Sequence, residues 1–407
     1  MSLKSLKKCF GSLILILLAC SGFAATAQAE GGYDYVTQWG GQGTGNGQFN
    51  GPHGVGVDNN GNVYVAEYNN HRVQKFDSNG GYILQWGNYG TGNGQFSGTR
   101  FIATDASGNI YVTDENNPRV QKFSNIGVYI AQWGGSWGTD NGQFATPAGV
   151  ALDNSGNVYV AEQNNHRMQK FDSNGGYLTQ WGRYGTENGQ FSFPAGVASD
   201  SGGNIYVADS HNNRIQKFSS NGAYLTQWGG SGTGNGQFNF PNGISVDKSD
   251  KVYVADMNNH RVQKFDSTGS YLTQWGSQGS GNGQFNQLRA VAVDSNGNVF
   301  VADYGNNRIQ KFATACVDTN GSTQQGIDLV KANPGNYQLF TQAQIDASKQ
   351  DGINLVKTNP ADYQLLTHAQ SDQAVKAEQL KWDANGDGKI GLEDIIRMLQ
   401  VLVGLRP

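Results

Sequence analysis

The chain repeats itself with a period of about 47 residues, and this repeat constrains its fold more than any other feature. The tetrapeptide Asn-Gly-Gln-Phe occurs six times at steps of 47 or 48 residues, and the tripeptide Gln-Lys-Phe keeps the same rhythm. Repeats of this length build folds in which each unit packs mainly on its neighbours. The tetrapeptides end at Phe49, Phe96, Phe144, Phe191, Phe238 and Phe285, and the tripeptides at Phe76, Phe123, Phe171, Phe218, Phe265 and Phe312.

Each unit contains four short segments with the residue types of β-strands. In the first unit they read GVGVD, NVYVAE, RVQKFD and YILQWG, and the turns between them are rich in Asn and Gly. Four strands per period, six times over, predict a mainly all-β fold, a six-bladed β-propeller. The small residues of the first segment suit the crowded axis, and the Trp of the fourth suits the wider gap between blades at the rim.

One strand stands out of order, and it indicates how the ring closes. The segment YDYVTQWG, Tyr33–Gly40, resembles the end of a unit but precedes the first one, while the sixth unit stops at Ala313 without such a segment. We therefore expect the first segment to complete the last blade, which leaves no open sheet edge between the two chain ends. This reasoning predicts a propeller over residues 33–313.

The stretch NGNVYVAEYNNHRVQKFD resembles an NHL repeat, and six such stretches lie between Tyr33 and Phe312. The resemblance implies a six-bladed propeller but leaves the function open. NHL propellers include a peptidylglycine amide-forming lyase, RNA-binding developmental regulators and sensor domains of bacterial kinases. A lyase of this type would need several zinc-binding histidines at the channel mouth, where only His53 is expected.

Every unit carries an acidic residue five positions before an arginine. Because the pair recurs six times, we interpret it as a structural ion pair that fixes the loop between the second and third strands, rather than as a metal site. The residue before the arginine is His in three units, and we expect it to cap this loop. The pairs are Glu67–Arg72, Asp114–Arg119, Glu162–Arg167, Asp209–Arg214, Asp256–Arg261 and Asp303–Arg308, and the preceding residues are His71, Pro118, His166, Asn213, His260 and Asn307.

Positions that differ between units are the better candidates for ligand binding. Arg289, His53 and Arg100 enter the inner strands of three consecutive blades and predict a cationic sector at the channel mouth, flanked by Tyr68 and Tyr304. A solvated rim without a ligand is the alternative. The residues entering the inner strands are His53, Arg100, Ala148, Ala195, Asn242 and Arg289, and those after the repeated acid are Tyr68, Glu115, Gln163, Ser210, Met257 and Tyr304.

The first 29 residues have the composition of an export signal. Three lysines precede the apolar run LILILLA, and small residues end in AQA. This predicts a secreted or periplasmic protein. The stretch LLAC ending at Cys20 also resembles a lipobox, so a lipid-anchored form is the alternative, and a membrane contact is expected only if Cys20 is lipidated.

Charge and cysteine content exclude two classes of function. Removal of Lys4, Lys7 and Lys8 with the leader leaves 25 basic against 32 acidic residues, a net charge of −7, which argues against a nucleic-acid partner. The cysteines are Cys9, Cys20 and Cys316, too few for a disulfide framework or a cysteine metal site.

The C-terminal part has a different organisation. Residues 317–370 contain an internal repeat of about 26 residues and predict a helical spacer. Residues 371–407 include DANGDGKIGLED, whose spacing is that of an EF-hand-type calcium loop. The aspartate at its last position resembles a dockerin, although dockerins carry two loops and this chain has one. The expected calcium ligands are Asp383, Asn385, Asp387, the carbonyl of Lys389, and Asp394.

Together these features predict an exported binding module. Its partner would be a protein, a peptide or a glycan on the propeller, and the dockerin-like end would serve attachment or assembly. The alternative is a secreted lyase or hydrolase with its active site at the channel mouth. No cluster of histidines or paired carboxylates can be placed at that mouth from the sequence, which favours binding over catalysis.

Overall fold

Each repeat folds into a four-stranded antiparallel sheet, and six such sheets follow one another along the chain. The structure is a computed structural model that describes residues 32–315. The first strand of each full repeat contacts the first strands of the two neighbouring sheets, so that the innermost strands form a closed circuit. The predicted six-bladed β-propeller is confirmed.

The strands are numbered in chain order, and β1 (Tyr33–Gly40) precedes the first full blade. Blade 1 contains β2 (Pro52–Val57), β3 (Val63–Glu67), β4 (Arg72–Phe76) and β5 (Tyr82–Trp86). Blade 2 contains β6 (Thr99–Thr104), β7 (Ile110–Asp114), β8 (Arg119–Phe123) and β9 (Tyr129–Gly134). Blade 3 contains β10 (Pro147–Leu152), β11 (Val158–Glu162), β12 (Arg167–Phe171) and β13 (Tyr177–Trp181).

The second half of the ring has the same plan. Blade 4 contains β14 (Pro194–Ser199), β15 (Ile205–Asp209), β16 (Arg214–Phe218) and β17 (Tyr224–Gly229). Blade 5 contains β18 (Pro241–Val246), β19 (Val252–Asp256), β20 (Arg261–Phe265) and β21 (Tyr271–Trp275). Blade 6 contains β22 (Leu288–Val293), β23 (Val299–Asp303), β24 (Arg308–Thr314) and β1. Short 3-10 turns follow the second strands of these blades at Ser210–Asn212, Met257–Asn259 and Tyr304–Asn306.

Two kinds of connection lie on one face of the ring. Because neighbouring strands are antiparallel, the turn between the second and third strands lies at the same end as the connection from one blade to the next. In blade 1 the two are joined directly, since the backbone N–H of Tyr68 donates to the carbonyl of Gly51 at 3.0 Å. We call this side the loop face, and every inner strand begins there.

Glycine in the inner strands allows neighbouring blades to approach closely. A Cβ atom on Gly54 would lie 2.3 Å from the carbonyl oxygen of Arg100, and one on Gly149 would lie 2.2 Å from that of Ala195. Both distances are too short for any side chain, so glycine is required there. Blade 2 carries Phe101 at this position, and the ring packs 5.3 Å from that of His53.

The tryptophans of the outer strands fill the gap between blades, as the sequence predicts. A Cβ atom on Gly80 of blade 1 would lie 2.6 Å from the ring of Trp39 in blade 6, so the ring lies directly against the glycine turn of the next blade. Four further junctions repeat this contact. The pairs are Trp86–Gly127, Trp133–Gly175, Trp181–Gly222 and Trp228–Gly269.

The sixth junction and the ring closure depend on the first strand. β1 pairs antiparallel with β24 from Tyr33–Thr314 to Gly40–Arg308, which confirms that the first segment completes the last blade. Tyr33 stacks on Trp275 with ring centroids 4.2 Å apart and thus occupies the place that a turn glycine has at the other junctions. Its hydroxyl also lies 2.7 Å from that of Tyr253.

Several sequence predictions concern residues outside the described range. These are the export signal, the lipobox at Cys20, the helical spacer and the calcium loop. Within residues 32–315, no helix is long and apolar enough to cross a membrane.

Candidate functional site

The repeated acid and arginine form a buried ion pair in all six blades, as predicted. The distance from the arginine Nε to the nearest carboxylate oxygen is 2.8 Å for Arg261–Asp256, and the Asp256 side chain is fully buried. The same carboxylate accepts hydrogen bonds from the backbone N–H of Asn239 and from the side chains of Asn259 and Gln263. The other five pairs lie between 2.5 and 3.1 Å.

The arginine of each pair holds the connection that enters its blade. In blade 5, Arg261 donates to the carbonyls of Thr233, Gly234 and Gln237, and to the side chain of Gln274 on the outer strand, at 2.7–2.8 Å. The Arg261 guanidinium therefore makes five hydrogen bonds, all of them to other groups of the protein. The repeated pair therefore builds the loop face and is not available to a ligand.

In four blades the residue before the arginine caps its own turn, as expected, and also joins the neighbouring blade. The Nδ1 atom of His166 accepts the backbone N–H of Phe193 at 3.1 Å, and Asn213 accepts that of Phe240 at 2.8 Å. His260 and Asn307 make the same bond to the following blade. These four residues have φ between 51° and 53°, a left-handed conformation that Asn and His tolerate better than most residues. This conformation ends the turn.

The residues that enter the inner strands at the channel mouth are buried, except Arg289, which is partly exposed. His53 and Arg100 are exposed by 4% and 6%, and Asn242 not at all. His53 Nδ1, Arg100 Nε, Arg289 Nε and both amide atoms of Asn242 have no hydrogen-bond partner within the described residues. A buried polar atom without a partner costs about 1–3 kcal/mol, so these five atoms at one repeat position need partners that the described residues do not supply. The Nε1 atoms of the six outer-strand tryptophans lack partners among the described residues as well.

The structure brings together the residues that the sequence predicts around His53. The ring centroids of Tyr68 and Tyr304 both lie 6.2 Å from that of His53. The guanidinium carbon of Arg289 lies 4.9 Å from the ring centroid of Tyr304, a cation–π contact. Two cations and two tyrosines from blades 6, 1 and 2 therefore surround one imidazole.

One carboxylate partly balances the two arginines. Arg100 Nε lies 3.5 Å from a carboxylate oxygen of Glu115, and Arg100 Nη1 donates to Gln163 at 2.7 Å. These residues come from blades 2 and 3, so Arg100 is held towards blade 3, the blade of Ala148. Arg289 has no carboxylate partner among the described ion pairs.

The local electrostatics show that His53, one of the three predicted cations, is not charged. Burial, followed by the positive charges of Arg100 and Arg289, lowers the pKa of His53 well below its ordinary value of 6.5. His53 is therefore neutral at physiological pH and offers one donor and one acceptor rather than a charge. Burial, followed by repulsion from Arg100, also lowers the pKa of Arg289. Both arginines remain charged, because an arginine side chain is not deprotonated in proteins.

A second group of residues on the loop face is absent from the sequence prediction. Five rings form an unbroken series from blade 3 to blade 5, with successive centroids 4.9, 4.8, 4.3 and 4.9 Å apart. We call this series the ring row. Its members in order are Tyr184, His166, Phe193, His211 and Phe240.

Two members of the ring row have a strained backbone. Phe193 and Phe240 directly precede inner strands and have φ of 52° and 64°. A left-handed conformation costs a residue with a Cβ atom about 1–2 kcal/mol. Blades 1 and 2 have Gly51 and Gly98 at the same position, and blades 3 and 6 have Thr146 and Gln287 there with φ of 60° and 52°, so the left-handed conformation belongs to the repeat. The phenylalanines at this position in two units were the signal that could have identified the ring row.

Metal binding by the described residues finds no support. Within residues 32–315, no group of three or more His, Cys, Asp or Glu side chains is arranged to hold a metal ion. The predicted calcium ligands Asp383, Asn385, Asp387, Lys389 and Asp394 all lie outside this range.

Comparison with known families identifies five repeats of this chain as NHL repeats, at residues 49–76, 144–171, 191–218, 238–265 and 285–312. With the six-bladed structure, these matches support a place among NHL-repeat propellers and are consistent with an interaction module. Blade 2 is not matched. It keeps the four-stranded sheet but differs by Phe101 in place of glycine and by Pro118 in place of His or Asn.

Comparison with solved structures supports the fold alone. A structural genomics protein of unknown function from Bacteroides thetaiotaomicron shares 18% identity, with 70% of this chain and 76% of that chain covered and a TM-score of 0.54. An inactive variant of virginiamycin B lyase from Staphylococcus aureus, solved with quinupristin, shares 15% identity over 66% and 85% of the two chains. Its TM-score of 0.47 carries no functional argument. The search of curated proteins found no match.

Proposed function

We propose that this propeller, built from NHL repeats, is a binding module that takes up an anionic group of its ligand at the channel mouth. The observation that carries the proposal is the set of unpartnered buried N–H groups and amide atoms on Arg100, Arg289, His53 and Asn242. They enter the inner strands of four consecutive blades and include two cations with one nearby carboxylate, Glu115. A ligand carboxylate would supply the acceptors that the N–H groups of this set lack.

The chemistry of the mouth favours a carboxylate over a simple halide or a neutral group. A guanidinium presents a planar fork that matches the two oxygens of a carboxylate, and Arg289 and Arg100 enter the mouth from opposite sides of His53. The neutral imidazole of His53 can donate one further hydrogen bond without adding charge. Low-dielectric walls formed by buried strands strengthen each of these interactions. An acidic glycan or a peptide carboxylate fits this description.

Replacing Arg100 and Arg289 together by alanine is expected to weaken the binding of such a ligand by about 100-fold or more. Each charged hydrogen bond that is lost contributes about 1.5–3 kcal/mol. The full-length protein would be screened against uronic-acid oligosaccharides and peptides with a free C-terminal carboxylate. Affinities of parent and variant would then be compared by calorimetry at two salt concentrations, because binding by fixed cations weakens as salt is added.

A matched control is available on the same face. Arg183 is exposed and lies in the connection between blades 3 and 4, so Arg183→Ala removes one arginine charge away from the mouth. We expect this variant to bind like the parent. Equal affinity of the Arg100→Ala/Arg289→Ala variant and the parent would show that the anionic group binds elsewhere.

The proposal also includes export of the protein and a C-terminal calcium loop, and both are inferred from the sequence alone. We infer that calcium stabilises the dockerin-like end, which would attach the secreted propeller to a partner or a surface. Asp383→Ala with Asp387→Ala is expected to abolish calcium binding, because both carboxylates are predicted ligands. Calcium titration of the full-length parent and variant tests this directly. Equal binding heats would contradict it, and the melting temperature of the propeller should not respond to a chelator in either protein.

A further inference from the structure

The anion site at the channel mouth has a net charge of one positive unit. Two repeat positions build this site: the residue that enters the inner strand and the residue after the repeated acid. Of the twelve residues at these positions, all of them described by the structure, the charged ones are Arg100, Arg289 and Glu115, since His53 is neutral. The repeated acid and arginine of each blade pair with each other, so their charges cancel. Two positive charges and one negative charge leave a sum of +1, which a single ligand charge balances.

Glu115 gives the site its negative charge. Its backbone N–H donates to the carbonyl of Gly98 at 2.9 Å, which holds the residue at the loop face. Its side chain is 21% exposed, so a ligand can approach the carboxylate. Burial, followed by the nearby charge of Glu115, raises the pKa of Tyr68, one of the two tyrosines beside His53. The residues at the same repeat position in the other blades are all uncharged, namely Tyr68, Gln163, Ser210, Met257 and Tyr304.

Glu115 acts mainly on one of the two arginines. Burial lowers the pKa of Arg100, and the attraction of Glu115, 3.5 Å from its Nε, is the largest influence in the opposite direction. Burial and the repulsion of Arg100 lower the pKa of Arg289, and Tyr304 opposes them more than Glu115 does. Arg289 has no carboxylate partner among the described ion pairs and contacts the ring of Tyr304 instead. An incoming anion therefore meets one unmatched cation, Arg289, and a second cation that already has a counter-charge.

We propose that Glu115 is a specificity-determining residue, which limits the channel mouth to singly charged groups, carboxylates or sulfate esters, and rejects doubly charged phosphate monoesters. This inference rests on the proposed anion binding and adds the charge of the ligand to it. A second negative charge on the ligand would be attracted by Arg100 but repelled by Glu115, so it would gain little. It would still have to lose its water in a largely buried site, which is costly for an unmatched charge. Selection by a built-in repulsive group is a common basis of specificity.

The test compares three probes that share a sugar and differ in the acidic group: glucuronate, glucose 6-sulfate and glucose 6-phosphate. At about pH 8 the first two carry one negative charge and the phosphate monoester carries nearly two. Sulfate and phosphate esters are both tetrahedral, so this pair separates charge from shape. Calorimetric titration of the full-length parent should show glucose 6-sulfate bound at least about tenfold more tightly than glucose 6-phosphate. In Glu115→Gln the net charge of the mouth becomes +2, so this preference should disappear or invert.

A second variant and a matched control accompany Glu115→Gln. Glu115→Tyr introduces the residue that blades 1 and 6 have at this repeat position, and it should change the preference in the same direction. Glu187→Gln makes the same change in charge at an exposed residue of the connection between blades 3 and 4, and it should bind all three probes like the parent. Glucose 6-phosphate should raise the melting temperature of Glu115→Gln more than that of the parent, because a bound anion replaces the lost counter-charge of Arg100.

The possible failures of charge selection and of anion binding give different results. A parent that binds glucose 6-phosphate as tightly as glucose 6-sulfate would overturn charge selection and leave anion binding at the mouth intact. The same holds if folded Glu115→Gln and Glu115→Tyr keep the preference of the parent. A parent that binds none of the three probes would contradict anion binding at the mouth and, with it, the role of Glu115.

Discussion

A chain shortened to begin at Gly41 is expected to lose about 5 kcal/mol or more of unfolding free energy, or to fail to fold cooperatively. The deletion removes β1, whose seven residue pairs with β24 complete blade 6. It also removes Trp39, which packs on Phe76 of the next blade, and Tyr33, which stacks on Trp275. The loss of seven strand pairs together with two partly buried aromatic side chains is large against a total stability of about 5–15 kcal/mol.

Thermal melting and size-exclusion chromatography of the shortened chain and of a chain beginning at residue 30 check this expectation. The exposed edges of β24 should also promote association, because an unpaired strand edge pairs with other chains. Adding a synthetic peptide of residues 32–41 should restore the melting temperature by refilling the edge. A shortened chain that melts as a monomer at the parent temperature would contradict closure by β1.

The second large effect is expected from a single buried carboxylate. Asp256→Ala should destabilise the propeller by about 3–5 kcal/mol, because it leaves the charge of Arg261 buried without a partner. It also removes the acceptor of three further hydrogen bonds, from Asn239, Asn259 and Gln263. Denaturant unfolding followed by tryptophan fluorescence measures the difference.

A partly exposed carboxylate in the same blade provides the control. Asp266 accepts hydrogen bonds from Thr268 and Ser270 in a surface turn, so Asp266→Ala makes the same change in net charge. Its expected cost is about 1 kcal/mol or less, since solvent replaces the lost bonds. A loss of equal size in the two variants would mean that the repeated acid does not organise the loop face.

Much of the fold could be predicted because it depends on patterns within each repeat. The repeat period and the misplaced strand at Tyr33–Gly40 were sufficient to predict six blades and the strand that closes them. The clustering of Arg289, His53 and Arg100 also followed, because residues at one repeat position in consecutive blades must be neighbours in a ring.

Other features depend on packing between repeats and could not be predicted in the same way. The sequence predicts His53 as part of a cationic sector. In the folded protein, burial and the charges of the two arginines lower its pKa, so that it is neutral. The ring row joins residues of different repeats at different repeat positions, such as His166 and Phe193, 27 positions apart. The contact arises because the turn of one blade meets the start of the next, which becomes clear only in the assembled ring.

The measurement that tests anion binding at the channel mouth most directly is an array of acidic glycans, neutral glycans and carboxylate peptides probed with the full-length protein. Parent protein, the Arg100→Ala/Arg289→Ala variant and the Arg183→Ala control would be compared side by side. We expect the parent to bind an acidic ligand, and we expect loss of the two arginines to weaken this binding by about 100-fold. An array on which no acidic ligand binds the folded parent, or on which the arginine variant binds the ligand as tightly as the parent, would contradict anion binding at the mouth.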